Sequence, residues 1–148
     1  MFKLTKPCTN CPFRKGMGER FNLGTSRCLE ILNGDAFQCH KTVDYNHEDD
    51  PYLRQGKAPQ QCAGVMSLLH RAGLPNQIMQ VAERLGAADF SKLDHRHVYD
   101  DMADAIEAHS HGEDWVAAMA VYEPRLIAHE PTRGRMPCFA RAWERYHA

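Results

Sequence analysis

The sequence has no apolar run near the roughly 20 residues that a membrane-spanning helix needs. Its first residues, Met1-Phe2-Lys3-Leu4-Thr5-Lys6-Pro7-Cys8, also lack the apolar stretch of a secretory signal. Both absences point to a cytoplasmic protein without a membrane partner. No P-loop, GxGxxG or GxSxG motif is present, which removes the commonest nucleotide-binding and serine-hydrolase signatures. There is no internal repeat and no low-complexity stretch. The net charge of −1 leaves no global excess to attract a polyanion.

What is present suits a folded domain. A length of 148 residues fits one domain, here 1–148, able to bury a core. With 43% hydrophobic and 25% charged residues, the composition argues against disorder. Two parts are expected, an irregular cysteine-bearing module over 1–64 and a helical part over 65–148. Pro7, Pro12, Gly16, Gly18 and Gly24 break the first 24 residues into loop. Thr25 or Ser26 then caps a short helix carrying Cys28, Leu29, Ile31 and Leu32, stopped at Asn33-Gly34. Residues 44–59 are polar and read as a surface loop.

From Gln60 the apolar period becomes helical. One stripe holds Cys62, Val65, Leu68 and Leu69, and a second holds Ile78, Val81, Ala82 and Leu85. A third holds Val98, Met102, Ala105 and Ile106; further stripes run through Trp115 to Tyr122 and Phe139 to Tyr146. The expected fold is mainly α, with a metal-stapled N-terminal segment packed on a small helical bundle.

The chemistry lies in the six cysteines, Cys8, Cys11, Cys28, Cys39, Cys62 and Cys138. In a reducing compartment such residues point to metal binding or redox chemistry rather than disulfides. Cys8-x-x-Cys11 lets two thiolates reach one ion from a single tight turn. Cys39 and Cys62 complete a tetrahedral thiolate set. Closing the intervening loops on a metal turns binding energy into folding energy. Cys62 opens a helix, where the positive end of the dipole favours a thiolate. His40 is expected to support the site rather than ligate. Cys28 reads as core, and Cys138 as a helix-start residue without a metal role. One C-x-x-C pair with two distant single cysteines, and a proline after Cys11, fits an iron–sulfur cluster of the 4Fe–4S type; zinc is the alternative.

The run Cys8–Cys11–Pro12–Phe13–Arg14, then Phe37-x-Cys39-His40, then Cys62-Ala63-Gly64, resembles an uncharacterised group of small bacterial and phage proteins sharing a CxxCPFR…FxCH…CAG module. The resemblance covers about residues 7–64. It implies a metal-binding module of phage or mobile-element origin, with Phe13, Arg14 and Phe37 supporting the site, and brings no activity with it.

Other residues carry less. His95 with His97, and His109 with His111, are spaced i, i+2 and do not share a helical face. His97, Asp100 and Asp104 read as a solvated acidic face, and His47-Glu48-Asp49-Asp50 lacks calcium-loop spacing.

Three functions remain. The first is a non-enzymatic metal-centred module binding nucleic acid or a protein through Lys6, Arg14, Lys15 and Arg20, extended by Arg133, Arg135, Arg141 and Arg145. The second is a redox or oxygen-sensing iron–sulfur protein. The third is a metal-dependent hydrolase or deaminase; four thiolates closing off the ion, and the lack of an H-x-E element before Pro7-Cys8, argue against it.

Overall fold

Among the described residues of the computed structural model, the first 24, broken by glycine and proline, carry no helix, and four α-helices follow. The structure describes residues 1–110 apart from 19, 48, 50–55 and 57. The stripes at 115–122 and 139–146, Cys138, and the arginines at 133, 135, 141 and 145 lie outside the described residues.

Helix α1 spans Thr25–Asn33 and buries Thr25, Cys28, Leu29, Ile31 and Leu32. The expected hydroxyl cap is not used. Gly24, at φ 74°, holds the cap position instead, because the Thr25 hydroxyl is turned inward and donates to Ser110 Oγ at 2.9 Å.

Helix α2, Ala63–Ala72, is buried on nearly every side, from Ala63 through Leu69 and at Ala72. It is the central helix rather than a one-faced one, which is why Gly64, Met66 and Ser67 lie inside beside the anticipated Val65, Leu68 and Leu69. Gly73 ends it in the left-handed region at φ 70°. The Leu74 N–H reaches back to the Leu69 carbonyl at 2.9 Å, closing a Schellman-type cap.

Helix α3, Gln77–Arg84, starts at Asn76, whose side chain accepts from the Met79 N–H at 3.0 Å. Its buried residues are Met79 and Ala82. The expected stripe is therefore rotated, with Val81 48% and Leu85 76% exposed. Met79 is the deep anchor of a short helix that touches the core along a narrow line. Helix α4, Met102–His109, is capped by Asp101 and buries Met102, Ala103, Ala105, Ile106 and His109. Val98 precedes it, in an isolated antiparallel bridge with Arg14.

Helix α1 packs against α4 and α2, and the 3-10 turn Phe90–Lys92 covers α2. Among the described residues there is no strand beyond isolated bridges, so the mainly helical expectation holds. One buried cluster runs from Cys11 and Phe13 to Ile106, joining the cysteine module to the helices. The irregular N-terminal segment is fastened to residues 94–99 by main-chain bonds: Asp94 N–H to Thr5 O, Lys15 N–H to His97 O and Tyr99 N–H to Phe13 O, at 2.8, 2.9 and 3.3 Å. Arg71 reinforces that stretch by donating to the carbonyls of Tyr99 at 2.9 Å and His95 at 2.8 Å. No described helix is long and apolar enough to cross a membrane.

Candidate metal centre

Three chain segments meet at the cysteines, and each is held by its backbone. In the first, the Cys11 N–H donates to Cys8 O and the Arg14 N–H to Cys11 O, both at 3.1 Å. These successive turns carry Cys8 and Cys11 together. The second and third segments meet in the isolated antiparallel bridge Gln38↔Gln61. There the Cys39 N–H donates to Gln60 O at 2.7 Å and the Cys62 N–H to Phe37 O at 2.9 Å. Antiparallel pairing puts residues flanking the bridged pair on one face, so Cys39 and Cys62 share a face and the two glutamines take the other. Gln61 and its neighbour Gln60 also hold adjoining chain through their side chains: Gln61 Oε1 accepts from the Phe37 N–H and Gln60 Oε1 from the Lys3 N–H, each at 2.9 Å.

The donor atoms fall into two close sets. Cys8, Cys39 and His40 offer two sulfurs and an imidazole nitrogen, all within 4.8 Å of one another. Cys11 and Cys62 place their sulfurs 3.8 Å apart. Cys11, Cys39 and Cys62 are buried and Cys8 half-buried. The structure therefore contains a Cys/His group able to bind a metal, with two further thiols beside it.

The electrostatics of the second pair are those of two sulfurs sharing one proton. The Cys11 thiol in contact with Cys62 holds the Cys62 pKa down, and the backbone amides of Val65 and Gly64 at the start of α2 act in the same direction against the burial penalty. Cys11 is pushed far up, by its contact with Cys62 and then by burial. Of the two thiols, Cys62 is the more readily ionised. Burial raises Cys39, with added repulsion from Cys62 and Cys8 and partial relief from the Lys41 amide. Burial, then the Lys41 charge, lowers His40 and keeps its imidazole neutral, the form in which histidine ligates.

Gly64 makes room for this arrangement. A Cβ there would run into Cys11 Sγ and come within 3.2 Å of Phe13 Cβ. The glycine of the Cys62-Ala63-Gly64 run is thus a steric requirement of the first helical turn.

Phe13 is fully buried beneath the site. Its ring meets Phe37 edge-on at 6.4 Å and His109 at 5.9 Å. Arg14 is half-buried at its bridge with Val98. Sequence reasoning set His109 aside, yet it props up the cysteine turn. Its Nδ1 accepts from the Leu23 N–H at 3.2 Å, so its Nε2 carries the proton and donates to Pro12 O, beside Cys11, at 2.9 Å. The i, i+2 spacing to His111 concealed it; its position seven residues after Met102 on the buried face of α4 was the available signal. Cys28 is fully buried in α1, and burial pushes its thiol up to about 12.

The basic N-terminal residues are partly neutralised. Lys15 pairs with Asp100 at 2.8 Å, and Arg71 reaches the same carboxylate at 3.4 Å. Lys6 helps Arg96 to depress Asp94. Arg20 is exposed.

A cavity of about 310 Å³ adjoins the centre, walled by residues next to the cysteines, Pro12, Phe37, Gln38 and His40 among them. No known family, curated protein or solved structure matches this chain.

Proposed function

We propose that the chain is a metal-centred recognition module, in which one ion on Cys8, Cys11, Cys39 and Cys62 holds three loop segments in a binding-competent shape. The observation that carries this reading is the 3.8 Å separation of the Cys11 and Cys62 sulfurs. Thiolates bound tetrahedrally to zinc at about 2.3 Å lie roughly 3.8 Å from one another. A four-iron cluster puts each thiolate on its own iron, which spreads the sulfurs farther apart. That one spacing suits two thiolates on a zinc ion, while the donors that meet within 4.8 Å of one another are Cys8, Cys39 and His40. Zinc has no redox chemistry of its own and, with four thiolates, serves as a structural crosslink. His40, neutral and within reach of Cys8 and Cys39, is a flanking fifth donor that orients the ion's surroundings.

A binding role is preferred to catalysis because four thiolates leave the ion no open position for an activated water. The partner is a nucleic acid or a protein, and the setting is the cytoplasm, in keeping with the module's resemblance to phage and bacterial proteins.

The test is to purify the full chain anaerobically, count metal and sulfide, and record the visible spectrum. One zinc per chain and no colour are expected. A brown protein with iron and sulfide would replace zinc by a cluster and bring oxygen sensing forward. Cys11→Ser and Cys62→Ser should each lose the metal while Cys28→Ser keeps it; full occupancy in Cys62→Ser would sink the ligand assignment.

A further inference from the structure

The cavity beside the centre has a composition the metal does not explain. Four rings face it, those of Phe21, Phe37, His40 and Tyr45. Phe21 and Tyr45 are large rings left 46% and 52% exposed at its mouth. Phe21 already lies nearly parallel to His40, 24° between planes with centroids 6.3 Å apart, so one wall is a stacked aromatic platform. Its volume, about 310 Å³, is at the small end of ligand sites and suits one flat ring system rather than a folded peptide segment.

One cation lines the cavity and two more are sequence neighbours of its rings. Arg27 of α1 lines the cavity. Arg20 precedes Phe21, Lys41 follows His40, and both are exposed. Two described acids close in sequence to the lining are engaged: Glu30 pairs with Arg27 at 2.8 Å, and Asp44 accepts from Asn46 at 3.0 Å and lies 3.9 Å from His47. The Arg27–Glu30 pair is solvent-exposed; such a pair is weak and readily exchanged for a phosphate. Stacking rings flanked by cations from separate segments are the means by which proteins hold single strands. The absence of a glycine-rich phosphate cradle from the sequence argues against a free mononucleotide, whose phosphates need a convergent site.

We propose that this cavity takes a base of a single-stranded nucleic acid, stacked on the Phe21–His40 platform, with the flanking phosphates drawn to Arg20, Arg27 and Lys41. The proposal deepens the recognition-module reading, because Pro12, Phe37 and His40 owe their positions to the segments that carry the cysteines.

The test is fluorescence anisotropy with the metal-loaded full chain and a labelled oligothymidylate of about 12 nucleotides, with metal counted in every sample. Saturable binding that weakens with salt is expected. Phe21→Ala and Tyr45→Ala should each weaken it about tenfold with metal content unchanged, and Arg27→Gln should flatten the salt dependence by roughly one phosphate contact. Arg84→Gln, on α3, should bind like the parent. No binding at about 50 mM salt, unchanged affinity in both ring variants, or equal binding of thymidine monophosphate would overturn the proposal; so would binding indifferent to salt, which points to a protein partner. Undiminished ring-dependent binding by a metal-free chain would support the cavity and remove the metal reading instead.

Discussion

Gly64 and Cys28 mark the two kinds of constraint acting on single residues around the centre. A methyl group at Gly64 would displace the Cys11 sulfur, so Gly64→Ala should weaken metal retention by an order of magnitude or more against a competing chelator, while leaving helix propensity slightly improved. Cys28 is fully buried in α1, and its raised thiol makes it a poor nucleophile. Cys28 should resist alkylation at pH 8 in the folded chain, as mass spectrometry of the labelled protein would reveal. Its raised value also sets a direction for stability. The neutral thiol favours folding fully below the ordinary value of 9.0, and that contribution is lost as pH climbs from there to about 12. His95 works at the other end of the scale. Its ring stacks on His70 with centroids 5.7 Å apart, its Nδ1 is buried without a partner, and burial, then Arg71 and His70, lower its pKa. The folded state disfavours its protonation, so stability present above the ordinary value of 6.5 falls as pH drops through that region. Denaturant titrations at pH 7.5 and about pH 5.5 should show the loss, and His95→Phe should reduce it. An unchanged slope in that variant would assign the effect elsewhere.

At the scale of elements, the helices were readable because period and punctuation agree. The stripe from Cys62 to Leu69 does lie buried in and just before α2, and Met102, Ala105 and Ile106 do share the buried face of α4. What misled was the assumption that every apolar residue on a short helix faces inward. Val81 and Leu85 do not, since α3 meets the core only through Met79 and Ala82. The bridge that aligns Cys39 with Cys62 was not legible at all. It is one residue pair long, carries glutamines rather than β-formers, and leaves no periodic trace. Yet it does the joining, so Gln61→Ala, which removes the acceptor of the Phe37 N–H, should destabilise the fold by about 1 kcal/mol and accelerate metal loss. A comparable cost, about 1 kcal/mol, is expected for Asn76→Ala at the start of α3, there with no change in metal retention. Chemical denaturation paired with chelator-driven release separates the two.

Across the molecule, the centre draws on residues 8 to 62 while the core runs on to Ile106. Metal removal should therefore lower the thermal midpoint of the entire described core rather than melt a separate lobe. Calorimetry with and without chelator would show one transition shifting; two independent transitions would speak for autonomous parts. The approach of Cys8 to Cys39, and of Cys11 to Cys62, was legible because ligand chemistry depends on residue type and survives irregular backbone. His109 was not, because its importance arises from a carbonyl and an amide brought to it from 97 and 86 residues away.

The span between the paired sulfurs of Cys11 and Cys62, 51 residues, also has a meaning in time. A chain emerging from the ribosome exposes Cys8, Cys11 and Cys39 well before the amino end of α2 arrives. On the four-cysteine reading, the early thiols would hold an ion openly and exchangeably during that interval, and the bridge at Gln38 has no counterpart. The last ligand then arrives with a single helical turn, yet the core closes only once Ile106 has followed, so an ion would be held before the core forms around it.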